Sequence, residues 1–328
     1  MKLRWSARTD VGRARDHNED AVGAGTPEQA ARLGQLLVLC DGMGGYAAGE
    51  VASQMAIETI LASFYADDTE DPGEALRDAF QQANAQIYAE GRGAMGTTGV
   101  AALLRHDALY VANVGDSRAY LLRDGTIRQI SHDHSFVSDQ IAAGLITAEE
   151  ARSSPVRNVI TRALGHQAEV EVDLFRFPLQ SGDRVLLCSD GLHSVVRDSE
   201  LLELAGGEPD AATAALVALA NERGGPDNIS VTLAVVDGLE WEMEPLAGPP
   251  ELAASAAATP SPAPPAAVPA APPPARRTPE KRLTLLGGLL ATILLAALLF
   301  VLALTLLTAP ATAPPVFAPA TILPTSSP

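Results

Sequence analysis

The chain has 328 residues and a formal charge of −17, from 23 basic and 40 acidic side chains. That length suits one large domain or two small ones. The charge weighs against a nucleic-acid backbone as the main partner, but not against phosphorylated substrates, because a bound cation reverses the local field. Two cysteines, Cys40 and Cys188, make no disulfide framework; each ends an apolar run and reads as a small buried side chain.

In chain order, the opening "MKLRWSARTD" has no long apolar core, so no secretory signal is expected there. Residues 3–10 alternate and predict a first strand, and "GQLLVLCD" (34–41) predicts a strand with a continuous apolar centre. Val51, Met55, Ile60 and Phe64 fall close to helical spacing over 47–66, and Leu76, Phe80, Ala83 and Ile87 repeat the pattern in a second helix. Strands are expected over 97–106, 108–115, 118–125, 184–191 and 228–236, with a hairpin turning at Asp124-Gly125. "DSELLELAG" and "DAATAALVALANERG" predict further helices. Two helices in a row followed by adjacent strands do not fit a βαβ alternation; two packed, mostly antiparallel sheets with helical outer layers fit better.

The sequence changes character after residue 238. Residues 1–238 read as one globular domain, and 239–282 as a Pro/Ala-rich linker ending in the basic residues Arg276, Arg277, Lys281 and Arg282. Residues 283–307 carry no charge and are long enough, at 1.5 Å per residue, to cover a hydrocarbon core of about 30 Å as a helix. A short Pro/Ala/Thr-rich tail, 308–328, follows without charge. The charge asymmetry places the front domain in the cytoplasm, so the expectation is a single-pass protein of the cell membrane with an extracytoplasmic tail.

The stretch "CDGMGGYAAGE" (40–50) ends a buried strand on an aspartate crowded by four glycines. Asp116 and Asp190 also follow apolar runs, Asp227 precedes one, and Glu19 and Asp20 lie in "RARDHNEDA". Singly, each has the ordinary explanation of a turn residue. Together, at neighbouring strand ends, they would repel or stay protonated unless a cation joined them. Oxygen donors of this kind suit Mg²⁺ or Mn²⁺, whereas no His-x-x-x-His or Cys-x-x-Cys is present for zinc. Arg15, beside the first acidic pair, reads either as a surface ion-pair partner or as a fork for phosphoryl oxygens. No Gly-Lys-Ser/Thr follows the glycines, no Gly-x-Ser-x-Gly occurs, and no Cys-x₅-Arg loop exists, which removes P-loop, serine-hydrolase and cysteine-phosphatase chemistry.

Eight blocks in order, "RARDHNEDA", "LCDGMGGYAAGE", "GTTGVAALL", "VANVGDSRAY", "SHDHSFV", "ITRALG", "LLCSDGL" and "GGPDNISVTLAVV", resemble the PPM family, the PP2C-type metal-dependent protein serine/threonine phosphatases, in its bacterial form. The resemblance implies an α+β fold: a four-layer α/β/β/α sandwich of two mostly antiparallel sheets flanked by helices, here with the added C-terminal transmembrane helix. It implies two Mn²⁺ or Mg²⁺ ions. Asp41 would bridge them, the Gly42 carbonyl would complete one site, and Asp190 and Asp227 would hold the other, with Glu19 reaching it through water. Asp20 would support the ligands, Asn228 would shape the loop around Asp227, and Arg15 would clamp the substrate phosphate. Asp116 with Asp190 matches the ligands of a third ion held by bacterial relatives. Residues 133–157 match the flap beside the site, which influences substrate choice.

The implied reaction is hydrolysis of phosphoserine and phosphothreonine in proteins by in-line attack of a metal-bridged water, opposing bacterial transmembrane Ser/Thr kinases. Where animal members carry a histidine proposed as the general acid, this chain has Met43. His193, in "SDGLHS", reads as a local loop histidine or as a helper near the metals. The rival readings are an inactive phosphoprotein-binding domain tethered to the membrane, a metal-dependent phosphodiesterase or nuclease, and a membrane scaffold.

Overall fold

The computed structural model describes residues 1–44, 48–67, 70–152 and 154–239. The linker beyond 239, the charge-free stretch 283–307 and the tail 308–328 lie outside the described residues. Among the described residues no helix is long and apolar enough to cross a membrane.

In chain order the elements are β1 (Lys2–Asp10), β2 (Asp20–Ala24), α1 (Pro27–Leu33), β3 (Gln35–Met43), α2 (Ala48–Ala66), α3 (Pro72–Gly91), β4 (Gly96–Thr97), β5 (Gly99–Arg105), β6 (Ala108–Val114), β7 (Arg118–Arg123), β8 (Thr126–Gln129), α4 (Phe136–Ala142), α5 (Ala148–Arg152), β9 (Asp173–Pro178), β10 (Arg184–Cys188), α6 (Asp190–His193), α7 (Asp198–Leu204), α8 (Pro209–Glu222) and β11 (Ile229–Gly238). One sheet runs β1-β11-β10-β7-β8 and the other β2-β3-β5-β6-β9, with β4 paired to the end of β3. Every pairing along these paths is antiparallel.

The layers follow from the two-residue period of the strands. Leu36, Val38 and Cys40 of β3 point outward and pack under α2 and α3 with Ile60, Phe64, Leu76 and Phe80. Leu37 and Leu39 point the other way, into a core between the sheets shared with Leu121, Leu187 and Ala234. On the far side, Tyr120, Leu186, Cys188 and Leu233 meet Leu201 of α7 and Leu216 of α8. Three stacked cores between four layers are therefore observed, as the resemblance implies. Each fully buried leucine contributes about 1.5–3 kcal/mol by leaving water, so the sandwich is a stiff frame for whatever hangs on its ends.

Local departures from the sequence pattern have physical causes. The expected strand 97–106 is interrupted at Thr98, whose backbone N–H donates to the Asp41 carbonyl at 2.8 Å instead of continuing the ladder. The expected strand 184–191 stops at Cys188, and Asp190 opens the short helix α6. The hairpin turns at Asp124-Gly125 as expected, with φ +49° and +71°, the left-handed pair that matches strand twist. Strands β2 and β9 and helices α1, α4, α5 and α6 escape a periodicity reading. Of these, α1 carries a legible signal, the Thr26/Gln29 capping box followed by Pro27.

Candidate metal centre

The acidic residues gather because the ends of several strands coincide. In the β2–β3 register Asp20 lies opposite Asp41. β10 ends at Cys188, which pairs with Val231, so Asp190 and Asp227 flank neighbouring strand ends in the other sheet. Asp116 sits in the turn between β6 and β7. Asp41 itself is held from both sides of its peptide. Its N–H donates to Thr98 Oγ1 at 2.9 Å, and its carbonyl accepts from Thr97 Oγ1 at 2.8 Å. Thr98 Oγ1 is in turn 2.8 Å from Ser117 Oγ, which ties the Asp41 strand end to the turn carrying Asp116.

Gly42 allows an approach that no side chain could. A Cβ there would lie 2.1 Å from the Gly49 carbonyl oxygen and 2.5 Å from the Glu19 carbonyl oxygen. The end of β3, the start of α2 and the Glu19 loop therefore close on one another, and Gly42 N–H donates to the Glu19 carbonyl at 3.1 Å. Asn228 fastens the same loop. Its Oδ1 accepts from Glu19 N–H at 2.8 Å, and its Nδ2 donates to the carbonyls of Val11 and His17 at 2.9 and 2.8 Å. Arg15, on that loop and half exposed, donates to Asp227 Oδ2 at 2.7 Å.

The electrostatics are those of a cluster short of positive charge. Burial is the first cause that lifts the Asp41 carboxyl well above the ordinary range, with Asp20, Asp190, Asp116 and Asp227 adding to it. Burial likewise pushes Asp20 up to about 7, Asp116 up to about 8 and Asp190 up to about 6. Desolvation raises Glu19 as well. Asp41 and Asp190 lie near enough for each carboxyl to disfavour ionisation of the other, so the pair favours a shared proton or a cation. Asp20 Oδ2 accepts from Ser189 Oγ at 2.8 Å, but Asp20 Oδ1 and Asp116 Oδ1 are buried with no hydrogen-bond partner.

Among the described residues no three His, Cys, Asp or Glu side chains form a ready-made ligand set. Hard cations that keep several waters need only one or two carboxylates each. Crowded carboxyls with raised pKa values and orphaned carboxylate oxygens fit that kind of centre and fit nothing apolar. A cavity of about 300 Å³ opens beside them, lined by Asp116, Asp190, His193, Ile141 and Arg157 among others. A larger cavity of about 760 Å³ lies at the other end of the strands, around Trp5, Gln35 and Arg105. It holds no converging carboxylates, so the smaller one marks the chemistry.

The model of the family described as protein phosphatase 2C matches residues 8–140. The serine/threonine phosphatase Stp of Listeria welshimeri is 40% identical over 238 residues, 69% of this chain and 93% of that protein. The chain belongs to the protein phosphatase 2C family of serine/threonine phosphatases. The serine/threonine protein phosphatase PstP of Mycobacterium tuberculosis is 43% identical over 258 residues, 75% of this chain and 48% of that longer protein. The crystal structure of the M. tuberculosis phosphatase superposes with a TM-score of 0.66 at 42% identity, covering 72% of this chain and 99% of that one. A structure of the PstP catalytic domain in complex with two manganese ions superposes at 0.64 with 40% identity, covering 72% and 99%.

Within this phosphatase fold, Asp20, Asp41, Asp116 and Asp190 meet as one interacting cluster, with Asp227 and Glu19 at its rim beside Arg15. His193 is neither an idle loop residue nor directed at the carboxylates. Its Nε2 lies 3.1 Å from the Asp116 carbonyl, and burial pushes its pKa down to about 3, so it is a neutral brace donating its one N–H. Residues that motif reading missed as individuals are Thr98, Ser117 and Ser189, whose hydroxyls hold Asp41, the Asp116 turn and Asp20. The signal was present, in "GTTG", "GDSR" and "CSDG", as hydroxyls next to the acids.

Proposed function

We propose that this phosphatase hydrolyses protein phosphoserine and phosphothreonine at a centre of two Mn²⁺ or Mg²⁺ ions held by Asp41, the Gly42 carbonyl, Asp190, Asp227 and, through water, Glu19, with Asp116 and Asp190 available to a third. The observation that carries this reading is the set of buried, mutually repelling carboxyls at one end of the sandwich, two of them with oxygens that no protein group satisfies. When bound, the cations supply a water acidified to near-neutral pKa and neutralise charge at phosphorus.

The chain's own residues do the rest. Asp20, fixed by Ser189, and Asn228, fixed to Val11 and His17, hold the ligands in place so that they need not reorganise during the reaction. Arg15 reaches the site from an exposed loop and is restrained by Asp227, which leaves its planar fork free to exchange that partner for phosphoryl oxygens. Met43 has no proton to give, and His193 spends its N–H on a backbone carbonyl, so neither protonates the leaving oxygen. Segment 133–157, which contributes Val137, Ile141 and Arg157 to the cavity, is the surface against which the substrate chain would lie.

The location is part of the same proposal. The charge-free stretch 283–307 preceded by Arg276, Arg277, Lys281 and Arg282 supports a single membrane span with the phosphatase domain in the cytoplasm. Tethering would raise the effective concentration of membrane-bound phosphoproteins, including transmembrane Ser/Thr kinases. The test is twofold. Purified full-length protein in detergent should release phosphate from p-nitrophenyl phosphate and from phosphothreonine peptides with Mn²⁺, and EDTA should stop it. The protein should stay in the membrane fraction after alkaline extraction. Phosphopeptide binding without release in Mn²⁺ and Mg²⁺ would replace the enzyme with a binding domain; recovery in the soluble fraction would remove the anchor.

A further inference from the structure

No step above uses His134, yet it sits where three pieces of the structure meet. The residue is 8% exposed. Toward the site it is joined twice to Gly115, the residue before Asp116. The His134 N–H donates to the Gly115 carbonyl at 2.9 Å, and the Gly115 N–H donates to His134 Nδ1 at 3.0 Å. Toward the segment beside the cavity, the His134 carbonyl accepts from Thr161 N–H at 2.8 Å, Ser135 bridges to Ile160, and Phe136 N–H donates to the Val159 carbonyl at 2.8 Å. These bonds close the two feet of that segment on one another at His134.

The ring is held from behind as well. Nδ1 accepts a hydrogen bond, so it carries no proton, and the single N–H of the neutral imidazole is at Nε2. Nε2 faces Arg162 Nη1 at 3.0 Å and Asp173 Oδ2 at 3.3 Å; its N–H is directed to the carboxylate, while Arg162 Nη1 donates to Asp173 Oδ1 at 2.8 Å. The ring therefore cannot turn away from Gly115 without leaving the Arg162–Asp173 pair behind it.

We propose that His134 is a positioning residue that pins the Gly115-Asp116 turn to both feet of the 135–160 segment, so that the seating of this segment sets the position of the Asp116 carboxyl. The cavity joins the same two parties: Asp116 and Asp190 line one part of it, and Val137, Ile141 and Arg157 of the segment line another. A phosphoprotein resting on the segment thereby bears on a carboxyl of the metal centre through one imidazole. The inference rests on the phosphatase reading.

The test compares His134→Asn, His134→Gln and His134→Ala in the full-length protein. The Asn Oδ1 stands where the imidazole Nδ1 stood and keeps an acceptor for Gly115; the Gln Oε1 reaches the Nε2 position instead. Hydrogen exchange of the backbone around Gly115, read by mass spectrometry, should be slow in wild type and His134→Asn and at least about tenfold faster in His134→Gln and His134→Ala. The Mn²⁺ concentration for half-maximal hydrolysis should rise by about tenfold in those same two, the usual effect of loosening a ligand's support, with His134→Asn close to wild type. Thermal midpoints identify any variant that fails to fold, and if His134→Ala does so the Asn/Gln contrast carries the test. Equal behaviour of Asn and Gln, or loss of Gly115 protection with an unchanged Mn²⁺ requirement, overturns the proposal. Absence of hydrolysis in wild type would overturn the proposed function instead, while exchange at Gly115 would still decide the latch.

Discussion

Asp20 stands directly opposite Asp41 across the antiparallel pair β2–β3. Cross-strand neighbours have Cβ atoms about 5 Å apart, a separation at which two desolvated carboxylates repel strongly. Asp190 adds a third carboxyl, whose charge bears on Asp41. The fold therefore brings together groups that are costly to ionise, and protons or cations must relieve them.

The first prediction concerns pH without metal. The folded-state pKa values of Asp20, Asp190 and Asp116, about 7, 6 and 8, lie above the ordinary 3.8 of the unfolded chain. Between about pH 4 and 8 these three groups hold more protons in the folded protein than in the unfolded one. At about pH 5.5 and above they outweigh the opposite contribution of His193, held down at about 3, so stability falls as pH rises from about 5.5 to 8. With EDTA present, the thermal midpoint at pH 8 should lie below that at pH 5.5 by on the order of 5 °C. Mn²⁺ should raise the midpoint more at pH 8, where fewer protons compete for the ligands. A chelated midpoint that climbs from pH 5.5 to 8 would contradict the cluster as described.

Asp41→Asn separates activity from stability. The amide removes the central charge and the metal ligand proposed there while keeping the shape, and the backbone clamps from Thr97 and Thr98 do not depend on the carboxyl. Turnover with Mn²⁺ should fall by at least about 100-fold. The metal-free midpoint at pH 8 should stay level or rise, because one repelling charge is gone. Phosphate release and a melting curve on the same preparation check both; wild-type turnover in this variant would remove Asp41 from the centre.

Much of this is legible in the sequence, and unevenly so. The run Leu36–Leu39 announces a strand buried on both faces, and β3 is one. The acids were legible as a set because each borders an apolar run. What periodicity could not show is which acids meet. Asp20 reaches Asp41 only because β2, too short to show a period, pairs beside β3. His193 and His134 were opaque for the same reason: their partners, Asp116, Gly115 and Asp173, are 77, 19 and 39 positions away. Such roles depend on tertiary closure, and local composition does not encode them.

Arg15→Lys tests the phosphate clamp. The guanidinium donates to Asp227 at 2.7 Å from a half-exposed loop, so its removal should cost little stability, as is usual for exposed ion pairs. Lysine keeps the charge but not the two-pronged geometry. The KM for a phosphothreonine peptide should rise about tenfold, with kcat falling less and the thermal midpoint within about 2 °C of wild type. Unchanged steady-state constants would leave Arg15 as a surface partner of Asp227 and no more.

Asn228→Asp asks whether one side chain holds the loop that presents both Arg15 and Glu19. The native amide gives two hydrogen bonds, to the carbonyls of Val11 and His17, and takes one from Glu19 N–H. A carboxylate keeps the acceptor but turns an oxygen toward the two carbonyls, in a site already crowded with acids. Two lost donors and a buried charge should cost about 3 kcal/mol, or roughly 10 °C in the thermal midpoint of a domain this size. Because the loop carries the groups proposed for both metal and phosphate, the Mn²⁺ requirement and the KM should rise together, unlike Arg15→Lys, which raises KM and leaves the Mn²⁺ requirement in place. Parallel Mn²⁺ titrations and substrate titrations of the two variants distinguish them; a variant at Asn228 that melts early yet binds Mn²⁺ and substrate normally would show that Asn228 serves the fold and not the centre.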